Sequence, residues 1–195
     1  MAIILASQSP RRHDLLERMG ITDFRVSAPG IREEQLRGMP PEELVRRLAV
    51  QKADAVFAKA RPGDIVIAAD TVVALEGMAL GKPRDRLDAF QTLGMLSGGR
   101  HQVHTGVAVY QDDQRLVEQE TTTVFFRELD AEEIERYIDS GEPMDKAGSY
   151  GIQGLGALFV ERIEGDYYNV VGLPVCRLGQ MLRRLGVELP PAGLR

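Results

Sequence analysis

Ile65-Val66-Ile67-Ala68-Ala69-Asp70-Thr71-Val72-Val73 is an apolar run interrupted by a single carboxylate. Arg61-Pro62-Gly63-Asp64 precedes it and Glu76-Gly77 follows, so it reads as a buried strand bounded by turns. An ionised side chain in such a position is costly unless it is paired or binds a metal. Asp70 is therefore either a strand-end residue that satisfies a turn or caps a neighbouring helix, or a functional carboxylate.

Upstream, Ile3-Ile4-Leu5-Ala6 reads as a second short strand that passes at once into Ser7-Gln8-Ser9-Pro10-Arg11-Arg12. Ser9 suits a helix N-cap and Pro10 the first helical position, with Leu15, Leu16 and Met19 on the apolar face and Gly20 as the stop. Hydroxyls, free N–H groups and two arginines thus converge on one helix N-terminus, an arrangement suited to phosphate. The alternative is a pair of solvated arginines beside an ordinary cap. Phe24 to Ser27 reads as a short strand, and a charged loop carrying Glu33 and Glu34 follows Pro29-Gly30.

The spacing predicts a helix from Pro41 to about Ala60, with Leu44, Val45, Leu48, Ala49, Ala53, Val56 and Phe57 on its apolar stripe. Lys52 lies within that stripe. Either its stem is buried and its ammonium reaches water, or the ammonium points into a polar site at the edge of the core.

Downstream, Gly81-Lys82-Pro83 is a rigid turn presenting a lysine, and Asp85 to Ser97 reads as a helix with Leu87, Phe90, Leu93 and Leu96 inward, stopped by Gly98-Gly99. Val103 to Tyr110 and Glu120 to Phe126 form an expected antiparallel pair across Gln111-Asp112-Asp113-Gln114. A helix is expected over Ala131 to Asp139, capped by Asp130 with Glu133 at the capping-box position. The last helix, Val175 to Leu185, ends before Pro190-Pro191. Between these two helices lies Gly141-Glu142-Pro143-Met144-Asp145-Lys146-Ala147-Gly148-Ser149-Tyr150-Gly151-Ile152-Gln153-Gly154, a loop shaped for close backbone approach. Gln153 carries a donor and an acceptor on one planar group, as reading a nucleobase edge requires.

With 195 residues the chain suits one domain spanning 1–195. The lone Cys176 excludes an intramolecular disulfide or a cysteine zinc cluster, and its apolar neighbours suggest a buried small hydrophobe. A net charge of −5 argues against a sequence-independent nucleic-acid binder. Without a leader pattern or a span approaching roughly 18 uninterrupted apolar residues, a soluble cytoplasmic protein with no membrane contact is expected. Neither GxxxxGK[ST] nor GxGxxG occurs, and His13, His101 and His104 are not spaced as a zinc site. Carboxylates alternating with Arg11, Arg12, Lys52, Lys82 and Lys146 suggest metal-assisted phosphoryl chemistry on a small phosphorylated molecule.

Five stretches carry a resemblance. Ala6-Ser7-Gln8-Ser9-Pro10-Arg11-Arg12, Ala68-Ala69-Asp70-Thr71-Val72-Val73, Gly81-Lys82-Pro83, Glu142-Pro143-Met144-Asp145-Lys146-Ala147-Gly148 with Tyr150-Gly151-Ile152-Gln153-Gly154, and Asp166-Tyr167-Tyr168-Asn169-Val170-Val171-Gly172-Leu173-Pro174 resemble, in order, the motifs of the Maf family of nucleoside triphosphate pyrophosphatases. The resemblance implies an α/β fold of the inosine-triphosphatase-like (Ham1) type: a long curved mixed β-sheet, flanking helices and a central cleft between two lobes. It also implies hydrolysis of dTTP and UTP to the monophosphate plus pyrophosphate with a divalent cation, Mg²⁺ or Mn²⁺, in a homodimer.

By the same resemblance Asp70 is the catalytic proton acceptor, and Arg12, Thr71 and Gln153 tune base choice. Ser9, Arg11, Lys52, Lys82 and Lys146 complete the expected substrate-binding set, and Glu33 joins Asp70 as a metal ligand. Arg32 departs from the pattern, since relatives usually carry an acidic residue there. The family's link to septum formation leaves a second class of function, a nucleotide-binding regulator without turnover.

Overall fold

The computed structural model describes residues 1–30 and 38–189. The chain runs β1 (Ile3–Leu5), α1 (Pro10–Arg18), β2 (Phe24–Val26), α2 (Pro41–Phe57), β3 (Ile65–Leu75), β4 (Met78–Leu80), α3 (Arg86–Leu96), β5 (Arg100–Gln111), β6 (Gln114–Phe126), α4 (Ala131–Asp139), β7 (Val160–Glu164), α5 (Tyr167–Val171) and α6 (Val175–Arg184). One mixed seven-stranded sheet results, in the order β2-β1-β3-β5-β6-β7, with β4 paired to β3. Contacts of β1 with β2 and β3 are parallel and the rest antiparallel.

The apolar run is central because both its faces are covered, which explains why it shows no alternation. Ile65, Ile67 and Ala69 face a core built with α1 and α6 through Leu15, Leu16, Leu178 and Leu182. Val66 and Ala68 face the opposite layer, where Ala49, Ala53 and Val56 of α2 pack. Val73 enters a third core, made by Leu93 and Leu96 of α3, Ile134 and Tyr137 of α4, and Phe126 and Phe159. Asp70 lies where the strand passes from the first two cores to the third.

α2 crosses the sheet at Gly106 of β5, the register partner of Asp70. A Cβ there would lie 2.2 Å from the Val45 carbonyl oxygen, so glycine lets helix and strand backbones touch.

Several expectations need correction. The central strand continues to Leu75 and turns back through Glu76 and Gly77, both at positive φ, into the unforeseen β4. β6 begins at Gln114 rather than Glu120, because the turn needs only Asp112 and Asp113 and the polar residues that follow pair with β5. Leu87 is 65 % exposed on the outer face of α3. Cys176 is exposed on α6, since the inward face of that helix is filled by Leu178, Met181 and Leu182. Asp130 caps α4 by accepting from the Glu133 amide, but the Glu133 side chain turns to the Arg127 guanidinium instead of closing a capping box. Pro190-Pro191 lies outside the described residues. Among the described residues no helix is long and apolar enough to cross a membrane.

Candidate active site

A cleft of about 1450 Å³ opens beside the 70–73 segment of β3. Its wall includes Ser9, Arg11, Arg12, Lys52, Asp70, Thr71, Lys82, Lys146 and Gln153, so the described residues singled out from the sequence share one cavity. Glu33 and Arg32 lie outside the described residues.

Asp70 is 7 % exposed and Lys52 9 %. Lys52 Nζ donates to Asp70 Oδ1, which decides between the two placements of Lys52: the ammonium points into a polar site. Pairing of this kind is what makes a carboxylate tolerable inside an apolar strand.

Ser9 stands at the N-cap of α1, but its hydroxyl makes no cap bond; its amide donates instead to Ser7 Oγ at 3.2 Å. Arg12 reaches across the cleft floor. Its Nε donates to the Gly172 carbonyl at 2.8 Å, Nη1 to Ser7 Oγ at 3.3 Å and Nη2 to Thr71 Oγ1 at 3.0 Å. Arg11 Nη1 stands 3.7 Å from Asp145 Oδ2. The arginine pair is therefore engaged with protein oxygens and is not simply solvated.

The glycine-rich loop folds as two short 3₁₀ turns, Glu142–Asp145 and Ala147–Ser149, around the Glu142 carboxylate. That carboxylate accepts from Tyr137 Oη at 2.8 Å, the Leu155 amide at 2.9 Å and the Gly156 amide at 3.1 Å. Burial raises the Glu142 pKa, yet these donors together with Lys146 bring it below its ordinary value. A Cβ on Gly154 would sit 2.2 Å from Glu142 Oε2, so glycine is needed for the loop to close on the acid. Lys146 Nζ donates to the Glu142 carbonyl at 2.7 Å and to Asp145 Oδ1 at 2.6 Å, and the Asp145 carboxyl is held down by that bond. Gln153, carried by the same loop, is exposed, as is Lys82 on its turn. Gly148 ties the second 3₁₀ turn to the Gly81-Lys82-Pro83 turn by donating its amide to the Gly81 carbonyl at 3.1 Å.

Three functional candidates were missed in the sequence. Ser7 and Glu142 lie in quoted motifs without a role assigned to them. Thr105 is buried in β5 beside Thr71, with Oγ1 to Oγ1 at 2.9 Å. Its signal was the one that marked Asp70, a polar residue inside an apolar strand run.

The donor set suits a hard cation, because Asp70 offers carboxylate oxygen in the cleft wall and, among the described residues, no cysteine thiolate lines it. Among the described residues another group, His13, Asp14 and Glu17 on α1, has ligand atoms within 4.8 Å of one another, but it does not line the cleft.

A family profile described as Maf-like protein matches residues 2–185. The dTTP/UTP pyrophosphatase of Symbiobacterium thermophilum is 51 % identical over 191 residues, 98 % of this chain and 97 % of that one. The dTTP/UTP pyrophosphatase of Carboxydothermus hydrogenoformans is 52 % identical over 188 residues, 95 % and 100 % of the two chains. Among solved structures, a HAM1 protein from Coxiella burnetii covers 94 % of this chain and 99 % of its own at TM-score 0.51 and 13 % identity, a likeness of fold.

Proposed function

This chain belongs to the Maf family, and from that premise we propose that it is a nucleoside triphosphate pyrophosphatase acting on dTTP and UTP. The observation that supports the reading most is the buried Asp70 carboxylate, paired with Lys52 in a cleft that also carries Arg11, Arg12, Lys82 and Lys146. A binder alone has no need of a carboxylate kept in that position, and the relatives' names point to turnover.

In this reading Asp70 orients a water and takes its proton as the oxygen attacks the α-phosphorus. The α–β anhydride P–O bond breaks, leaving the monophosphate and pyrophosphate. Lys52 holds Asp70 in register and, with Arg12 and Lys82, offsets charge on the phosphate oxygens. Asp70, with Glu33 from the family resemblance, would hold Mg²⁺ or Mn²⁺, which when bound acidifies the attacking water and neutralises phosphate charge. Thr71 and Gln153 face the base and Arg12, through its bond to Thr71, tunes the choice of base, while Ser9, Arg11 and Lys146 bind the remainder of the nucleotide. A cytoplasmic homodimer of single-domain chains completes the proposal.

The test is pyrophosphate release with Mg²⁺ from dTTP, UTP, CTP, GTP, 7-methyl-GTP and ITP, with Asp70→Asn alongside. Turnover of dTTP and UTP is expected, lowered in kcat by on the order of 10²-fold or more in the variant. No release from any nucleotide, or a variant as active as the parent, would overturn the reading.

A further inference from the structure

The hydroxyl protons of the Thr71–Thr105 pair can be assigned by counting. Thr105 is wholly buried, and its Oγ1 lies 3.0 Å from the Asn169 carbonyl oxygen and 2.9 Å from Thr71 Oγ1. A carbonyl only accepts, so the Thr105 proton belongs on the Asn169 bond; sending it to Thr71 would leave a fully buried carbonyl without that donor. Thr105 Oγ1 must then accept from Thr71. Thr71 Oγ1 also accepts from Arg12 Nη2 at 3.0 Å. Its proton is thereby turned into the sheet, and the cleft meets only a lone pair.

Asn169 is fixed in turn. Its Nδ2 donates to the Val103 carbonyl and to Thr122 Oγ1, both at 2.9 Å, so the carbonyl that sets the chain's direction is itself anchored. We propose that Thr105 is a positioning residue that makes Thr71 an obligate acceptor toward the ligand, selecting a nucleobase that offers a ring N–H, such as the imide of thymine or uracil, over one that offers an unprotonated ring nitrogen, such as cytosine. The proposal rests on the pyrophosphatase reading for the base to be near Thr71, and it makes Thr105 a determinant of selectivity that never touches substrate.

The experiment measures Kd for the non-hydrolysable α,β-imido analogues of dTTP and CTP, in the parent, Thr105→Val, Thr105→Ser, Thr71→Val and the Thr71→Val/Thr105→Val double variant. Thr105→Val frees the Thr71 hydroxyl to rotate and donate, so the CTP-to-dTTP Kd ratio should fall about tenfold, the worth of one hydrogen bond. Thr105→Ser should keep the parental ratio, and adding Thr105→Val to Thr71→Val should leave the ratio unchanged. An unchanged ratio in Thr105→Val, the same fall in Thr105→Ser, or a further fall in the double variant would overturn the proposal. A parent that binds the dTTP analogue with the expected selectivity yet releases no pyrophosphate from dTTP would sink the pyrophosphatase reading and leave this one standing. A parent without that selectivity sinks this one.

Discussion

Lys52 and Asp70 sit 18 residues apart on a helix and a strand, and each is about nine-tenths shielded from solvent at the point where their charges meet. Lys52→Met removes this partner of a buried carboxylate. Stability should fall by about 1–3 kcal/mol, and kcat by on the order of 10²-fold if Asp70 is held by it. Urea unfolding and pyrophosphate release read the two effects separately.

Gly106→Ala tests how that pair is held. The new Cβ would stand 2.2 Å from the Val45 carbonyl oxygen and 2.7 Å from the Arg46 nitrogen, both in the backbone of α2, so the helix must lift. We expect a loss of about 3 kcal/mol or more, together with activity, because Lys52 rides on the same helix. Thermal unfolding that matches the parent would refute the contact.

Glu142→Gln keeps the shape of the acid but replaces one acceptor oxygen with an NH2 donor, so the side chain can no longer accept from the Leu155 and Gly156 amides at once. Amide exchange at 151–156 should accelerate, and KM for dTTP should rise about tenfold, while kcat moves less. The parent should show a related effect of acid. The Glu142 carboxyl, ordinarily at 4.5, titrates lower in the fold, so its contribution is complete above about pH 4.5 and is lost as pH falls through the folded value. Exchange measured from pH 6 down to pH 3 would reveal the opening.

His101 is buried against Phe126 and donates or accepts at Nε2 with Tyr150 Oη, 2.8 Å away. Burial lowers its pKa from 6.5 to about 4. The unfolded chain therefore binds the extra proton first as pH falls. Stability from this group is complete above pH 6.5 and declines toward pH 4, by on the order of 3 kcal/mol in total. His101→Gln should flatten the urea midpoint across that window, whatever it does to stability at neutral pH; a slope equal to the parent's would discard the assignment.

Much of the fold was legible because it is written in apolar continuity and in end signals. β1 and β3, the cap at Asp130 and the stop at Gly98-Gly99 each have a local cause. β4, β7 and α5 were not legible: they span only three to five residues, too few for a pattern to show, and β7 is held by β6 about forty residues earlier in the chain, whereas β4 folds straight back on β3. Periodicity placed Lys52 on the inward face of α2 but could not say what it would meet, since a helical stripe specifies direction and not depth. Convergence of the candidate residues on one cleft likewise depends on strand register, above all Asp70 opposite Gly106 and Thr71 opposite Thr105, which no single segment contains.

β3, β5 and β6 run unbroken from the cores lined by α1, α2 and α6 into the core lined by α3 and α4. The cleft wall is thus backed by continuous ladders of backbone hydrogen bonds. Widening the cleft means twisting a sheet, so the restoring force is elastic and grows with every added degree. The molecule is sprung, and a ligand that draws the two halves together works against a stiffness distributed over dozens of peptide groups.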